Sequence, residues 1–515
     1  MRLTAITTAS LLLSLSSALT AQTTINHVAS EVPRPEWPQQ LQVADMDSDG
    51  LLDLIVPVWT SDTGRQLHIY LQQPGQRYPA QPSRIVDIRS EIVAVATADI
   101  RPEPGDELLL FTGSNVFSLS TAIDGYSGNL RRLLDWPLTV AIPDPQITRF
   151  FPPPVDNNGD GFVDLLLPGT QTWGWFTGAA DEQFTLAHEF STINTDVNES
   201  DLPPPPGRFS TNISFNAQDG LLVDVQVRSG SLFENFLQQA HSSDNGENRA
   251  LLEVDRWMPP AIMAPMSRPD SQDLVYLNVG KDLLGQLNIK HQSDDGFNNN
   301  ADWQGAVEMR GDFLLMDFNG DGLQDLVRVQ ENGSNWTVSL YANRGGSFDF
   351  GSADQVMRFT GFDLRLSPVA IVGDTPQLSV SYYTIPVVNA VRDASIVRTT
   401  LLFNNSSTQG VFNNRPDFLL EESFSAGTVR GLSSPIVFDA DINNDGRVDA
   451  LYLTPEGTLA AKAIDNTLRF AANPFWQYVP TRSITGFAVH DLNADGKPDL
   501  VLEHSNTLTV LVSAP

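Results

Sequence analysis

The sequence predicts an all-β chain folded as a β-propeller of four-stranded blades, and three observations carry that expectation. An acidic stretch recurs five times in one register, each copy runs directly into a short apolar strand, and 36 Gly and 34 Pro divide the chain into many brief extended segments. At 515 residues the chain exceeds what one ordinary core needs, so it must be several domains or a repeat array. Units of about 40–50 residues, each with room for four short strands, are the mark of a propeller.

Taken in order, residues 1–21 read as a secretory signal peptide: Arg2, an apolar run from residue 6 to residue 19, then small residues around Ala18 and Ala21. Cleavage is expected after Ala21, with Ala18 the second choice, which places the mature protein in a periplasm or outside the cell. No later stretch reaches the ~18 apolar residues of a membrane span. Residues 22–515 then form a single propeller domain. Residues 23–28 read as a lone strand. The first unit has apolar runs at 41–44 and 54–56 on either side of its acidic loop, an alternating strand at 67–71 and another at 84–88. The second unit is degenerate: Asp99 and Glu107 hold its first and ninth places, but Arg101 takes the third and Pro104 the glycine place, so no metal is expected there. The third unit runs from 147 to 191 and carries Trp173 and Trp175 on one strand face. A Pro-rich insertion follows near 194–207. Two units without acidic loops fill 221–254 and 273–289, a sixth starts at Phe313, and a seventh, from 369 to 422, carries an insertion near 401–416. The eighth and ninth have full loops, and the last ends one strand short at 507–512. The lone strand near residue 23 can supply the missing outermost strand and close the ring, which hides edges that would otherwise template aggregation. This count is nine units, and seven or eight blades with insertions also fit, since the units without acidic loops are marked least.

The five loops share one pattern: Asp or Asn at places 1, 3, 5 and 9, and Gly at place 6. They are Asp45, Asp47, Asp49 and Asp53; Asp156, Asn158, Asp160 and Asp164; Asp317, Asn319, Asp321 and Asp325; Asp441, Asn443, Asp445 and Asp449; and Asp491, Asn493, Asp495 and Asp499. A hard cation such as Ca²⁺ takes six to eight oxygens at about 2.3–2.6 Å. Alternate side chains of a tight loop converge on one point, and the place-seven carbonyls, of Leu51, Phe162, Leu323, Arg447 and Lys497, add a backbone oxygen. Asx-rich turns are common without a metal, but five copies in one register favour up to five Ca²⁺ sites. An EF-hand is disfavoured, because each ninth place leads straight into a strand and not a helix.

The segment 438–449, Phe-Asp-Ala-Asp-Ile-Asn-Asn-Asp-Gly-Arg-Val-Asp, and its four siblings resemble the FG-GAP (VCBS-type) repeat. That repeat builds the calcium-bearing propeller of integrin α-subunit heads and of many secreted bacterial proteins. The resemblance implies a β-propeller in which places 1, 3, 5 and 9 bind Ca²⁺ between the innermost strand and the next. It names no ligand, since folds of this kind host unrelated functions.

A net charge of −31 argues against nucleic acid, whose phosphates need Lys and Arg. The absence of cysteine removes disulfides and a thiolate nucleophile. The seven histidines include no pair at zinc spacing, though His490, directly before Asp491, could orient that loop. No sequence motif marks a catalytic site. The tryptophans Trp173, Trp175, Trp257, Trp303 and Trp336 could stack on sugars or pack between blades. The expected function is a secreted, monomeric binding or adhesion module for glycan or protein, with structural calcium. The alternative is a polysaccharide-acting lyase or hydrolase on the same scaffold.

Overall fold

The computed structural model describes residues 26–35, 39–138, 145–151, 153–169, 172–192, 261–279, 284–293, 296–308, 312–371, 376–385, 395–405, 411–425 and 436–514. Eight antiparallel sheets stand around a ring, and among the described residues there is no helix. Blade I comprises Gln42–Ala44, Asp53–Thr60, Gly64–Tyr70 and Arg84–Ile88. Blade II comprises Ala94–Ala98, Glu107–Phe111, Asn115–Ser120 and Arg131–Asp135. Blade III has Leu165–Pro168, Trp173–Thr177 and Thr185–Phe190. Its inner segment is joined by a bridge between Val155 and Asp164, and it leans in parallel on blade II at Val95 and Phe150.

Blade IV holds Ala261–Ala264, Asp273–Val279, Leu284–Lys290 and Trp303–Glu308. Blade V holds Asp312–Met316, Asp325–Asn332, Asn335–Tyr341 and Gln355–Thr360. Blade VI is Phe362–Val369, Gln377–Thr384, Ser395–Phe403 and Phe418–Ser425, and blade VII is Val437–Ala440, Asp449–Leu453, Leu459–Lys462 and Trp476–Tyr478. Blade VIII joins Gly486–His490, Asp499–Glu503 and Thr507–Ser513 to the first strand of the chain, His27–Pro33. That strand begins later than the sequence pattern suggests. Its register with the last strand pairs His27 with Ser513 and Pro33 with Thr507.

The described residues form eight blades, within the range of seven to nine that the sequence allows. The extra unit, 221–254, lies outside the described residues, as do the signal segment 1–21, the insertion at 194–207 and Trp257. Blade VI begins at Phe362, seven residues before the position chosen from sequence. Its inner strand has no acidic loop to mark it, and its burial is mixed.

The second strand of most blades is buried along nearly its whole length, as at Glu107–Phe111 and Leu165–Pro168, because both of its faces meet a neighbouring blade. Such a strand reads as a continuous apolar run and not as an alternating one. Among the described residues eight apolar clusters fill the eight seams, and a ninth, small one, Tyr383 with Phe424, lies within blade VI. Leu67, Ile69 and Leu110 pack between blades I and II, and Val275, Ile289 and Leu326 between IV and V. The ring closes where Leu54 and Val56 of blade I meet Val501, Val510 and the first strand's Val32. Arg34, just past that strand and buried, forms an ion pair with the partly exposed Glu503 at 3.0 Å.

Burying Val32 alone contributes about 1.5–3 kcal/mol, and the first strand also covers the last open edge of the ring. Deleting residues 26–33 is expected to lower the thermal midpoint by several degrees and to promote self-association. Calorimetry and light scattering check this; a monomer with an unchanged midpoint would contradict the closure.

Candidate metal centres

Each acidic loop joins the innermost strand of a blade to the second, and three hydrogen bonds recur in all five. The glycine N–H at place 6 donates to the place-1 carboxylate, at 2.9 Å for Gly50 and Asp45 and 2.7 Å for Gly446 and Asp441. The pairs Gly161–Asp156, Gly322–Asp317 and Gly496–Asp491 repeat it. The place-7 N–H donates to the place-5 carboxylate, as Leu51 does to Asp49 at 2.9 Å. The place-2 N–H donates to the place-9 carboxylate, as Met46 does to Asp53 at 2.8 Å and Leu492 to Asp499 at 2.7 Å. The glycine is needed because its φ lies near +85°, at Gly446 for example.

The loops are thus folded before any ion is considered. Places 1, 3 and 5 are drawn to one side of a tight turn, while place 9 sits at the head of the second strand. In loop I the carboxylate oxygens of Asp45, Asp47 and Asp49 lie within 4.8 Å of one another. Asp47 Oδ1 is buried without a hydrogen-bond partner, and burial, then its two acidic neighbours, push its pKa up. In loop VII, Asn443 Oδ1 is likewise buried and unpartnered. All-oxygen donors with unsatisfied buried acceptors are what a hard cation requires, so these residues fit one. The other loops are partly filled from within. Asn158 and Asn319 turn their amide N–H toward Asp160 and Asp321, at 2.8 and 3.0 Å. Lys497 Nζ lies 3.4 Å from Asp495 Oδ2. Place 7 carries unlike side chains, from the exposed Phe162 to Lys497, as suits a position that contributes only backbone.

Place 9 has a role that pattern reading did not reach. Asp53, Asp164, Asp325, Asp449 and Asp499 are at most 2% exposed, and so are Glu107, Asp273 and Gln377 at the same place in the three blades without acidic loops. All eight accept a backbone N–H from the loop. Glu107 accepts from Ile100 and Arg101, Asp273 from Met266 and Ser267, and Gln377 Oε1 from Ile371. In five blades the other oxygen accepts an N–H at or just past the end of the third strand: Gln72, Gly178, Gln292, Asn343 and Ser513. Burial pushes the carboxyls of Asp53, Asp325 and Asp449 up to about 7 and that of Asp164 up to about 6, against the pull of these donors. The missed signal was present: Glu107, Asp273 and Gln377 each head an apolar strand. Place 4 was also missed. Its φ is positive in every loop, at Ser48, Gly159, Gly320, Asn444 and Ala494, and only Gly or Asn in three of them hinted at it.

The loops also bond to one another around the ring. Gln72 Nε2 reaches Leu492 O of the preceding blade at 2.8 Å, Gln292 Nε2 reaches Asn157 O at 2.6 Å, and Asn343 Nδ2 reaches Met266 O at 2.9 Å. In blade II, Arg101 occupies the third place and is buried. Its guanidinium donates to Ser118 and Asn129, so a fixed cation stands in the loop that lacks ligands.

Residues 441–502 match the family model of the FG-GAP-like repeat. Over these residues a chain folded as a β-propeller carries FG-GAP-like repeats. The match starts at place 1 of loop VII and ends in the second strand of blade VIII, so it takes in two complete loops. No curated protein matches the sequence. Among solved structures, the WD40 domain of SCAP from fission yeast is similar at 9% identity and a TM-score of 0.36, over 95% of this chain and 98% of that one; a likeness this loose carries no argument.

Other candidates resolve into packing. Trp173 and Trp175 are buried between blades III and IV, Trp303 packs on Phe348 and Phe350, and Trp336 Nε1 donates to Gly361 O at 2.8 Å. Lys290 Nζ lies 2.9 Å from His188 Nε2 and 3.0 Å from Asn299 O, sealed at the seam of blades III and IV. Burial lowers both pKa values, that of His188 to about 4. His490 makes no hydrogen bond to its loop among the described residues; burial lowers its pKa.

Two outcomes follow from the loop chemistry. Burial raises the Glu107 pKa to about 7 in the folded state. A carboxyl that holds its proton more tightly when folded contributes full stability below its unfolded pKa, and that stability is lost as pH rises through 7. Glu107→Gln keeps the acceptor, as Gln377 does naturally, so its urea midpoint should gain on the parent's between pH 5 and pH 8, whereas Glu107→Leu should cost about 1–3 kcal/mol for each stranded N–H. A gap between Glu107→Gln and parent that is constant with pH would refute the titration. Gly446→Ala meets no atom within 4 Å but must hold φ +85°, so it should cost about 1–2 kcal/mol, and Gly113→Ala, also in open space, markedly less.

Proposed function

We propose that this chain is an exported binding module, a propeller whose acidic loops hold calcium as a structural ion and whose face takes a glycan or a protein. The observation that supports the cation most is loop I. Three carboxylates converge there, and one buried oxygen, Asp47 Oδ1, has no protein partner. Asp45, Asp47, Asp49 and the Leu51 carbonyl would hold the ion there, with Asp441, Asn443, Asp445 and the Arg447 carbonyl doing the same in loop VII. The place-9 carboxylates Asp53 and Asp449 close each set from below. Bound calcium would neutralise carboxylates that repel one another, so its binding energy becomes folding energy. The export reading rests on the apolar segment before residue 21. The binding role rests on the architecture: a ring of blades joined by loops presents two broad faces and, among the described residues, uses its buried polar groups to hold those loops in place.

The test is a thermal scan of the full chain after chelation and after calcium is restored. A site at 100 times its Kd adds about 2.7 kcal/mol, so the midpoint should fall with chelator and recover with calcium. Asp445→Ala should abolish more of the calcium-dependent gain than Asp99→Ala, which lies in the loop without ligands. A midpoint indifferent to both chelator and calcium would remove the cation from the account. A glycan array probed with and without calcium tests the ligand class.

A further inference from the structure

Two of the five loops carry Asn-Gly at places 3 and 4: Asn158-Gly159 in loop III and Asn319-Gly320 in loop V. Asn-Gly is the dipeptide most prone to cyclise, because glycine leaves its nitrogen unshielded beside the asparagine side chain. What the loops add is a catalytic environment. The Gly159 N–H donates to Asp156 Oδ1 at 2.7 Å, and the Gly320 N–H to Asp317 Oδ1 at 2.6 Å. The nitrogen that must attack is thus already bonded to a carboxylate, within the reach expected of a general base. The amide to be attacked is polarised as well. Asn158 Oδ1 accepts from Asp160 N at 2.9 Å and Asn319 Oδ1 from Asp321 N at 2.8 Å, donors aimed at the oxygen on which charge develops. Asn158 and Gly159 are exposed, so water reaches the site.

We infer that Asn158 and Asn319 are self-processing deamidation sites, with Asp156 and Asp317 as their general bases. The carboxylate takes the proton of the glycine N–H, and the nitrogen attacks Asn Cγ. The Cγ–Nδ2 bond then breaks, and ammonia leaves with the proton the glycine gave up. Water opens the resulting succinimide at either carbonyl, giving aspartate or isoaspartate; the sum is one water consumed and one ammonia released. The aspartyl product gives loops III and V the Asp-x-Asp-x-Asp order that loop I has at Asp45, Asp47 and Asp49. The isoaspartyl product lengthens the backbone by one methylene between places 3 and 4, where φ is already positive.

The molecule contains its own control. Asn332-Gly333 is the same dipeptide on the exposed hairpin of blade V, where among the described residues no carboxylate accepts the Gly333 N–H. The remaining three loops place Ser48, Asn444 and Ala494 after the third position, each with a Cβ that shields its nitrogen. The full chain is incubated at neutral pH in chelator, and each site is followed by peptide mapping for the mass gain and for isoaspartate. Asn158 and Asn319 should convert at least about fivefold faster than Asn332, a small part of the 10²–10⁴ that a positioned base supplies. In denaturing urea the three rates should converge. Asp156→Asn should slow Asn158 to the rate of Asn332 while Asn319 in the same molecule is unchanged. Equal or slower conversion at 158 and 319 in the native chain would overturn the inference without any variant, as would an Asp156→Asn chain that keeps the fast rate at 158.

Discussion

The structure depends on a buried acceptor at the head of every second strand. A tight loop leaves backbone N–H groups pointing inward, toward strand heads whose side chains are at most 2% exposed. An unmet buried donor costs about 1–3 kcal/mol, and the loops of eight blades would strand many. Asp53, Glu107, Asp164, Asp273, Asp325, Gln377, Asp449 and Asp499 meet that need from within the sheet. The side chain varies between carboxylate and carboxamide, and between three-atom and four-atom reach, but the oxygen remains. An acceptor found in blades with and without acidic loops belongs to the scaffold first.

At three seams the same acceptor ties a blade to the one before it. In blades I, IV and V the residue past the third strand bonds the acceptor through its N–H and the preceding loop through its side-chain amide. Gln72, Gln292 and Asn343 each do both. Loop geometry in one blade is therefore referred to the blade before it. Since the larger apolar clusters also lie at the seams, and only the small Tyr383–Phe424 cluster lies within a blade among the described residues, both polar and apolar cohesion run around the ring. Closure by His27–Pro33 completes both circuits at once.

On this common frame the loops differ in how they treat their own charge. Loop I leaves three carboxylates facing one another, loops III and V cross-link place 3 to place 5 through an amide N–H, loop VIII draws Lys497 onto Asp495, and blade II replaces acceptors by the buried Arg101. These are four ways of handling one electrostatic problem, the crowding of like charges at a turn.

The sequence alone determined the repeat, the all-β architecture, the strand that completes the last blade and the five loops, because each is a local pattern: acid spacing, a glycine at φ > 0, and an apolar run. It left the blade number between seven and nine, since a unit without an acidic loop, such as the one that opens with Phe362–Val369, has no local pattern to announce it. Nor could it separate buried tryptophans from surface ones, because Trp173 and Trp175 are hidden only by a neighbouring blade. The double duty of place 9 and the amide links from Gln72, Gln292 and Asn343 were likewise decided by tertiary structure. A hydrogen bond across a seam joins residues as far apart as 72 and 492, and no local spacing records which carbonyl a side chain will meet once the ring has closed.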